Sequence, residues 1–244
     1  MYDREIVKRL ITSPFTSNLD DEIIEKEFIA GFKAGVRSQI CAPGQIDLLS
    51  RLNKEYGNGQ TRLGMVIGYP YGGMSTNMKC FLIKEAVKGG LDEVDVAFNV
   101  TAAASYDFEA VKTEMQAIID AGEGKIRIIP MLWMVKFSFE IVDGLCKVYR
   151  ELGLKNVKTS AGIHFGEMQL EHISWLHRNY PEISIEIAGK VRQREKAEDM
   201  FEAGADYIHT GSWRKLSGIG IDPGYDFDTK ENSEAEFYLD PKYL

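Results

Sequence analysis

The stretch Glu93–Val100, EVDVAFNV, places an aspartate in the middle of an otherwise apolar strand pattern. Side chains in a β-strand alternate between two faces, so Val94, Val96 and Phe98 share one face and Asp95 lies on the other. A carboxylate on the second face of so apolar a strand requires water or a charged partner. The strands that follow supply candidates for that partner.

Three later apolar runs repeat the pattern, each with one charged residue in phase. In KIRIIPML, NVKTSA and SIEIAG, alternation places Arg127, Lys158 and Glu186 on the face that corresponds to Asp95. Burying charges is costly unless they are paired. We therefore expect the four side chains to point into one shared interior space.

The chain as a whole alternates short apolar runs with segments of helical periodicity. Strand centres lie roughly 23 to 32 residues apart, and eight strand–helix units in about 250 residues are typical of a (β/α)8 TIM barrel. A doubly wound open sheet is the alternative, but an interior ring of charged residues favours the barrel. We predict one barrel domain over residues 1–215 and an acidic, irregular tail over residues 216–244. The other strands are predicted in LITSPFT (10–16), SQICA near 40, RLGMVIGYP near 66 and DYIHTGS near 209.

Composition argues against several classes of function. The 244 residues carry a net charge of −8, which disfavours a nucleic-acid or anionic-membrane partner. Cys41, Cys80 and Cys146 are widely spaced, so we expect reduced thiols rather than a disulfide or a zinc site. The absence of a signal peptide and of any apolar run of about 18 residues indicates a cytoplasmic protein. Histidines and acidic residues do not show the spacing of metal ligands, so neither a metal nor another cofactor is expected.

A lysine among two carboxylates and an arginine suits imine chemistry. The Lys158 amine must lose its proton to attack a carbonyl, and burial together with a neighbouring cation such as Arg127 would lower its pKa. Asp95 or Glu186 could then carry protons during carbinolamine formation and C–C cleavage. A purely structural buried ion network is the alternative interpretation.

The loops AGKVR (188–192) and HTGSW (209–213) follow the last two predicted strands. Their glycines permit close backbone approach, and TIM barrels often bind phosphate at this position. His209 falls on the inward face, where it could bind substrate or be a core histidine. The predicted substrate- or phosphate-binding residues are Gly162, Gly189, Lys190, Gly211, Ser212 and His209, with Arg192 and Arg214 as further donors.

Two motifs resemble those of the deoxyribose-phosphate aldolase family. GLDEVDVAFNV (90–100) is similar to its Gly-Ala-Asp-Glu-[Ile/Val]-Asp segment, and VKTSAG (157–162) is similar to its [Val/Ile]-Lys-Thr-Ser-[Thr/Ala]-Gly signature. The likeness extends loosely from about residue 10 to residue 215. It implies a TIM barrel and a class I, metal-independent lyase of carbohydrate metabolism. Lys158 would form a Schiff base, Asp95 would be catalytic, and the substrate would be a small carbonyl compound or a sugar such as 2-deoxyribose 5-phosphate.

The sequence departs from that family at several motif positions. Glu186 stands where the family has a second lysine, Lys190 replaces a glycine, and Arg127 replaces a lysine on the fifth strand. A strand-five carboxylate is replaced near Met131, and the eighth-strand motif reads Tyr207–Ser212, YIHTGS. Replacing the second lysine by glutamate reverses the charge beside Lys158, which predicts weak activity on 2-deoxyribose 5-phosphate.

The residues leave two other functions open. One is another imine-forming enzyme, of the transaldolase or dehydratase-lyase type. The other is a non-catalytic barrel that binds a sugar phosphate or a protein partner and retains a vestigial lysine. The sequence also leaves open whether the chain forms a homo-oligomer.

Overall fold

The computed structural model describes residues 3–14, 20–160 and 168–219. Within these ranges the chain alternates strands and helices, and a strand forms in each of the eight predicted segments. The strands are β1 (Leu10–Thr12), β2 (Ser38–Cys41), β3 (Arg62–Ile67), β4 (Glu93–Val96), β5 (Arg127–Pro130), β6 (Asn156–Lys158), β7 (Ser184–Ala188) and β8 (Tyr207–His209).

Several helices begin or end at residues with local capping chemistry. Asp20, Ser75 and Ser138 each accept a hydrogen bond from a backbone N–H of the first turn of a helix. Gly35 ends the first long helix with a φ of 78°, in the left-handed region that glycine adopts most readily. The helices are α1 (Arg4–Val7), α2 (Asp21–Ala34), α3 (Ile46–Tyr56), α4 (Thr76–Lys88), α5 (Val100–Ala104), α6 (Phe108–Ala121), α7 (Phe139–Glu151), α8 (Leu170–Asn179), α9 (Arg194–Glu202) and α10 (Trp213–Ser217), with a 3-10 turn at Pro43–Gln45 before α3.

The eight strands form one parallel sheet in the order β5-β4-β3-β2-β1-β8-β7-β6. The ring closes between β5 and β6, where Met131 forms a parallel bridge with Lys158. At this seam the Lys158 carbonyl accepts a hydrogen bond from the Leu132 N–H at 2.7 Å. The predicted (β/α)8 barrel is therefore confirmed, and the open-sheet alternative is wrong.

The two strand faces bury different chemistry. Val94, Val96 and Phe98 are fully buried, as expected for the face that packs against the helices. The barrel interior holds Asp95, Lys158 and Glu186, whose exposed fractions are 0%, 5% and 4%. Alternation along the strands thus places charged side chains in a space that water barely reaches.

The last described helix packs against the barrel. Helix α10 crosses residue 215, and Leu216 and Ser217 are fully buried. The Ser217 carbonyl accepts a hydrogen bond from the Asp3 N–H at 3.0 Å. Residues 216 and 217 therefore pack with the barrel, whereas the predicted tail from residue 220 onward lies outside the described residues. Among the described helices, none combines the length and the apolar character that crossing a membrane requires.

Candidate active site

Lys158 occupies the last position of β6, at the seam where the barrel closes. Its side chain points into the barrel, and 6% of it is exposed. A lysine this buried requires partners that compensate its charge. It also lies at the carboxyl end of a strand, which is the end where the active sites of TIM barrels form.

Two carboxylates flank the Lys158 ammonium. Nζ of Lys158 donates to Oδ2 of Asp95 at 2.5 Å and lies 3.4 Å from Oε1 of Glu186. Glu186 is the direct register partner of Lys158 between β6 and β7, whereas Asp95 extends across the interior from β4. Asp95 is therefore the closer carboxylate, a distinction that the sequence left undecided.

His209 completes this group of charged and polar side chains. Its Nδ1 lies 2.6 Å from Nζ of Lys158 and 3.0 Å from Oε1 of Glu186. Its Nε2 lies 2.8 Å from Oγ of Ser13, which directly follows β1. We refer to Asp95, Lys158, Glu186 and His209 as the upper cluster.

Burial opposes the charged form of each acid and base in the upper cluster. It raises the pKa of Asp95, and the nearby Glu186 charge adds to this effect, while Lys158 opposes it. Burial also raises the pKa of Glu186, again against the influence of Lys158. For Lys158, burial alone lowers the pKa, but the charges and hydrogen bonds of Asp95 and Glu186 outweigh it and leave that pKa raised. The expected lowering of the Lys158 pKa is therefore wrong, and the lysine rests as the ammonium.

His209 has the opposite protonation preference. Burial, helped by the positive charge of Lys158, lowers its pKa to about 3. The imidazole is thus neutral near pH 7, with one ring nitrogen that donates a hydrogen bond and one that accepts. A neutral histidine can therefore accept from the ammonium or donate to the carboxylate through the same Nδ1, depending on its tautomer.

Arg127 does not join the upper cluster. It lies at the start of β5, with its guanidinium 3.7 Å from Oε2 of the buried Glu93, its register partner on β4. Arg37 approaches the same carboxylate oxygen at 3.6 Å. These three residues, the lower layer, lie toward the amino ends of the strands. The structure thus brings three of the four predicted charges together, and the expectation that Arg127 lies beside Lys158 is wrong.

Three side chains of the upper cluster lie close enough together to bind a metal ion. Ligand atoms of Asp95, Glu186 and His209 all lie within 4.8 Å of one another. Nζ of Lys158 lies 2.5, 3.4 and 2.6 Å from these three side chains. The ammonium therefore occupies the central position, and a metal ion would have to displace it. Because the three residues come from three different strands, no local sequence spacing indicated this group.

The predicted anion loops are tied to each other. Gly189 and Lys190 follow β7 with φ values of 118° and 54°, and Lys190 is exposed. After β8, the Ser212 N–H donates to Oγ1 of Thr210 at 3.0 Å, and that hydroxyl donates to the Val191 carbonyl at 2.8 Å. Part of the predicted anion-binding site is therefore already hydrogen-bonded within the protein. Gly211 is exposed between them, and Gly162 lies outside the described residues.

Arg214 also has an internal partner rather than an open position. Its guanidinium donates to Oε1 of Glu27 through two nitrogens, at 2.6 and 3.1 Å. The indole N–H of Trp213 donates to the other oxygen of Glu27 at 3.2 Å. Glu27 comes from α2 and is 2% exposed, so this arginine charge is largely compensated within the protein.

A buried ion pair anchors two loops at the carboxyl end of the barrel strands. Nζ of Lys79 in α4 lies 2.7 Å from Oε1 of Glu114 in α6, and Lys79 is fully buried. Lys79 also donates to the Gly72 carbonyl at 2.9 Å, and Glu114 accepts from the Asn99 N–H at 2.7 Å. Gly72 and Asn99 belong to the loops after β3 and β4. Sequence reasoning missed this pair, although Lys79 lies in helical phase with the buried Ile83.

Comparison with known proteins gives the class of this barrel. No family model matches the chain. A deoxyribose-phosphate aldolase of Thermococcus kodakarensis is 30% identical over 217 residues, which is 88% of this chain and 92% of the relative. One from Clostridium novyi is 30% identical over 164 residues, 67% of this chain and 74% of the relative. The tetrameric deoxyribose phosphate aldolase of Aeropyrum pernix superposes with a TM-score of 0.78 at 22% identity, over 88% of this chain and 90% of that one.

The fold and these relatives define an aldolase-type lyase built on a TIM barrel. The chain belongs to the deoxyribose-phosphate aldolase family. The resemblance inferred from the two sequence motifs is confirmed. Because the relatives are named as enzymes, they argue against a non-catalytic barrel with a vestigial lysine.

Proposed function

We propose that this protein is a Schiff-base aldolase that cleaves or forms a C–C bond in a small phosphorylated aldol related to 2-deoxyribose 5-phosphate. Lys158 is the nucleophile, and Asp95 and Glu186 exchange protons with the substrate. The observation that carries the proposal is the position of Nζ of Lys158, 2.5 Å from Asp95 and 3.4 Å from Glu186 in the barrel interior. The relatives are named for deoxyribose phosphate.

Imine formation begins when the Lys158 ammonium loses a proton. The amine lone pair then forms a C–N bond with the carbonyl carbon, and the carbonyl oxygen gains a proton to give a carbinolamine. Loss of that hydroxyl as water leaves a protonated imine. Asp95 and Glu186 suit the proton transfers to and from the substrate oxygen, because their raised pKa values allow a carboxyl group here to hold and release a proton.

The protonated imine then accepts the electron pair of the breaking C–C bond. A carboxylate removes the proton from the β-hydroxyl, that oxygen forms a carbonyl, and the bond between the α and β carbons breaks. The departing aldehyde leaves an enamine on Lys158, which takes a proton at the α carbon and is hydrolysed to the free carbonyl donor. Synthesis of the aldol follows the same steps in reverse.

The electron sink in this scheme is the imine nitrogen of Lys158. The ammonium already occupies the central position among Asp95, Glu186 and His209, so the proposal is a metal-independent reaction. Prolonged treatment with EDTA is then expected to change turnover by less than about twofold. Loss of activity that zinc or another divalent ion restores would contradict this part of the proposal.

The phosphate site is proposed at the loops that follow β7 and β8. Lys190 is exposed and available to an anion there, whereas Arg214 is paired with Glu27. With fewer uncommitted donors and with Glu186 beside the nucleophile, turnover of 2-deoxyribose 5-phosphate is expected to be weak. A related aldol with a different position of its anionic group would then be the better substrate.

Borohydride trapping tests the proposed function. Incubation with acetaldehyde, ketones and their phosphorylated relatives, followed by reduction and peptide mapping, should place a covalent adduct on Lys158. The matched control is Lys155→Met, which removes an exposed lysine just before the same strand. An intact protein that forms no adduct with any tested donor would sink the proposal, and a donor and acceptor screen separates an aldolase from a transaldolase or dehydratase.

A further inference from the structure

We propose that His209 and Ser13 form the route by which Lys158 loses its proton. The inference rests on the proposed Schiff-base function and adds two proton-transfer residues to it. Its basis is a continuous chain of short contacts, 2.6 Å from Nζ of Lys158 to Nδ1 of His209 and 2.8 Å from Nε2 of His209 to Oγ of Ser13.

The ammonium needs such a route because its nearest acceptor, Asp95, offers no onward path for the proton. Asp95 accepts from Lys158 at 2.5 Å, but its side chain is completely buried. The other carboxylate oxygen of Asp95, Oδ1, is buried without a hydrogen-bond partner among the described residues. A proton passed to Asp95 stays inside the barrel, next to the amine that must remain neutral to attack.

His209 leads in another direction. Ser13 directly follows β1, so His209 connects the buried nucleophile with the carboxyl end of the barrel, where substrate enters. The relay moves three protons in concert. The ammonium proton passes to Nδ1 of His209, the Nε2 proton passes to Oγ of Ser13, and the hydroxyl proton of Ser13 passes to a water or a substrate oxygen. Lysine becomes the neutral amine, and the serine hydroxyl is regenerated.

The histidine changes tautomer in this transfer without becoming an imidazolium. That agrees with its surroundings, since burial and the Lys158 charge hold its pKa near 3. The charged groups that face it are Lys158 on β6, Glu186 on β7 and, at 3.7 Å, Asp95 on β4. An imidazolium beside the ammonium would be repelled, whereas a neutral ring can pass a proton through.

Glu186 stabilises the state that follows the transfer. Once Nδ1 of His209 carries the proton, it can donate to Oε1 of Glu186 at 3.0 Å, while Nε2 accepts from Ser13. Each tautomer of His209 therefore has two hydrogen-bond partners. These are Lys158 and Ser13 while the lysine is an ammonium, and Glu186 and Ser13 once it is a neutral amine. A glutamate at this position thus assists deprotonation of Lys158 through His209, although its direct effect on the lysine pKa is to raise it.

Pre-steady-state trapping tests the relay. The rate at which acetaldehyde forms the reducible adduct on Lys158 is measured by rapid mixing with borohydride quench, in H2O and in D2O mixtures. Ser13→Ala should slow this rate by about 10²-fold, as loss of a proton-transfer group does, while Ser13→Thr, which keeps the hydroxyl, should remain within about threefold of the wild type. His209→Asn should slow it similarly, because an amide fills part of the space but does not exchange tautomers.

Two further readouts separate proton transfer from a structural role. Added imidazole should raise the rate of adduct formation in His209→Ala by at least about tenfold. In the wild type, a plot of this rate against the deuterium fraction of the solvent should be curved, because several protons move in the same step. In Ser13→Ala the plot should be linear. His177→Asn, in the exposed part of α8, is the control for removal of a histidine. Wild-type rates in Ser13→Ala and His209→Asn would overturn the relay but not the proposed function. The same holds if imidazole does not restore the rate of His209→Ala, or if Ser13→Thr is as slow as Ser13→Ala. A wild-type protein without any adduct would instead overturn the proposed function.

Discussion

The interior of the barrel holds two groups of charges that differ in how closely they are paired. In the upper cluster, Lys158 makes contacts of 2.5 and 2.6 Å to Asp95 and His209. In the lower layer, the two guanidinium groups approach the same oxygen of Glu93 at only 3.6 and 3.7 Å. That oxygen and Nη1 of Arg37 have no hydrogen-bond partner within the described part of the chain.

The two groups nevertheless share one interior. A small cavity bordered by the lower layer extends up to Glu186, and the charge of Arg37 opposes the rise that burial causes in the Glu186 pKa. The difference teaches that being charged, inward-facing and in phase is not sufficient for chemistry. Contacts short enough to transfer a proton distinguish the upper cluster, and the following experiments test that distinction from the largest expected effect to the smallest.

Removing the nucleophile should have the largest effect. Lys158→Met leaves the aldehyde carbon without an amine to attack, so aldol cleavage and borohydride trapping should fall by about 10³-fold or more, as for other covalent nucleophiles. Steady-state turnover on the best donor and acceptor pair measures this loss. Lys155→Met should keep the wild-type rate, and substantial turnover by Lys158→Met would place the chemistry elsewhere.

The same substitution should change stability in a manner that depends on pH. Without the ammonium, Asp95 and Glu186 lose the partner that lowers their pKa values, so both folded-state values rise further above those of the unfolded chain. A folded state that binds protons more tightly than the unfolded state is favoured below the unfolded pKa, near 4, and loses stability as the pH rises through the folded pKa.

Lys158→Met should therefore be nearly as stable as the wild type at pH 4 to 5 and lose about 3 to 5 kcal/mol by pH 8, the usual cost of an unpaired buried charge. Urea unfolding at several pH values measures the trend. The double variant Lys158→Met/Glu186→Gln should recover much of the loss, because it removes one of the two buried charges. A destabilisation that is independent of pH would show that packing, not charge, is responsible.

Replacing Glu186 by lysine should have a smaller effect, and it should raise rather than lower the turnover of 2-deoxyribose 5-phosphate. Glu186→Lys replaces a carboxylate 3.4 Å from Nζ of Lys158 by a second cation, which should lower the pKa of Lys158. Cleavage of 2-deoxyribose 5-phosphate should then rise by about tenfold over a weak wild-type rate. Glu186→Gln removes the proton-exchanging carboxylate and adds no cation, so it should not show this increase. Robust turnover by the unaltered protein would contradict the expectation.

Much of this site could be predicted from alternation and spacing. Period-two patterns placed Asp95, Lys158 and Glu186 on inward faces, because strand geometry fixes the direction of each side chain. The depth of each residue along the barrel could not be read this way, since it depends on the stagger between strands. Glu93 pairs in register with Arg127 at the start of β5, whereas Lys158 lies beside Met131, which directly follows the end of β5.

Contacts between distant segments were likewise beyond the sequence. Ser13 and His209 are separated by 196 residues and meet only because β1 is adjacent to β8 in the closed ring. The direction of the Lys158 pKa shift also depended on distances, because burial and two carboxylates act in opposite directions. Residue types alone therefore predicted which side chains form the site, but not the direction of the Lys158 pKa shift that they produce together.

Arg127 provides the smallest expected effect and the sharpest test of the comparison. Arg127→Gln removes one of two cations that face Glu93, and Arg37 remains 3.6 Å from that carboxylate. Because Arg127 makes no contact with the upper cluster among the described residues, trapping at Lys158 should change by less than about threefold, with a slightly lower melting temperature. The pH at which Lys158 becomes reactive should also stay the same. If that pH rises and trapping slows by about 10²-fold, the charge of Arg127 acts on the lysine across the barrel, and the two groups of charges function as one.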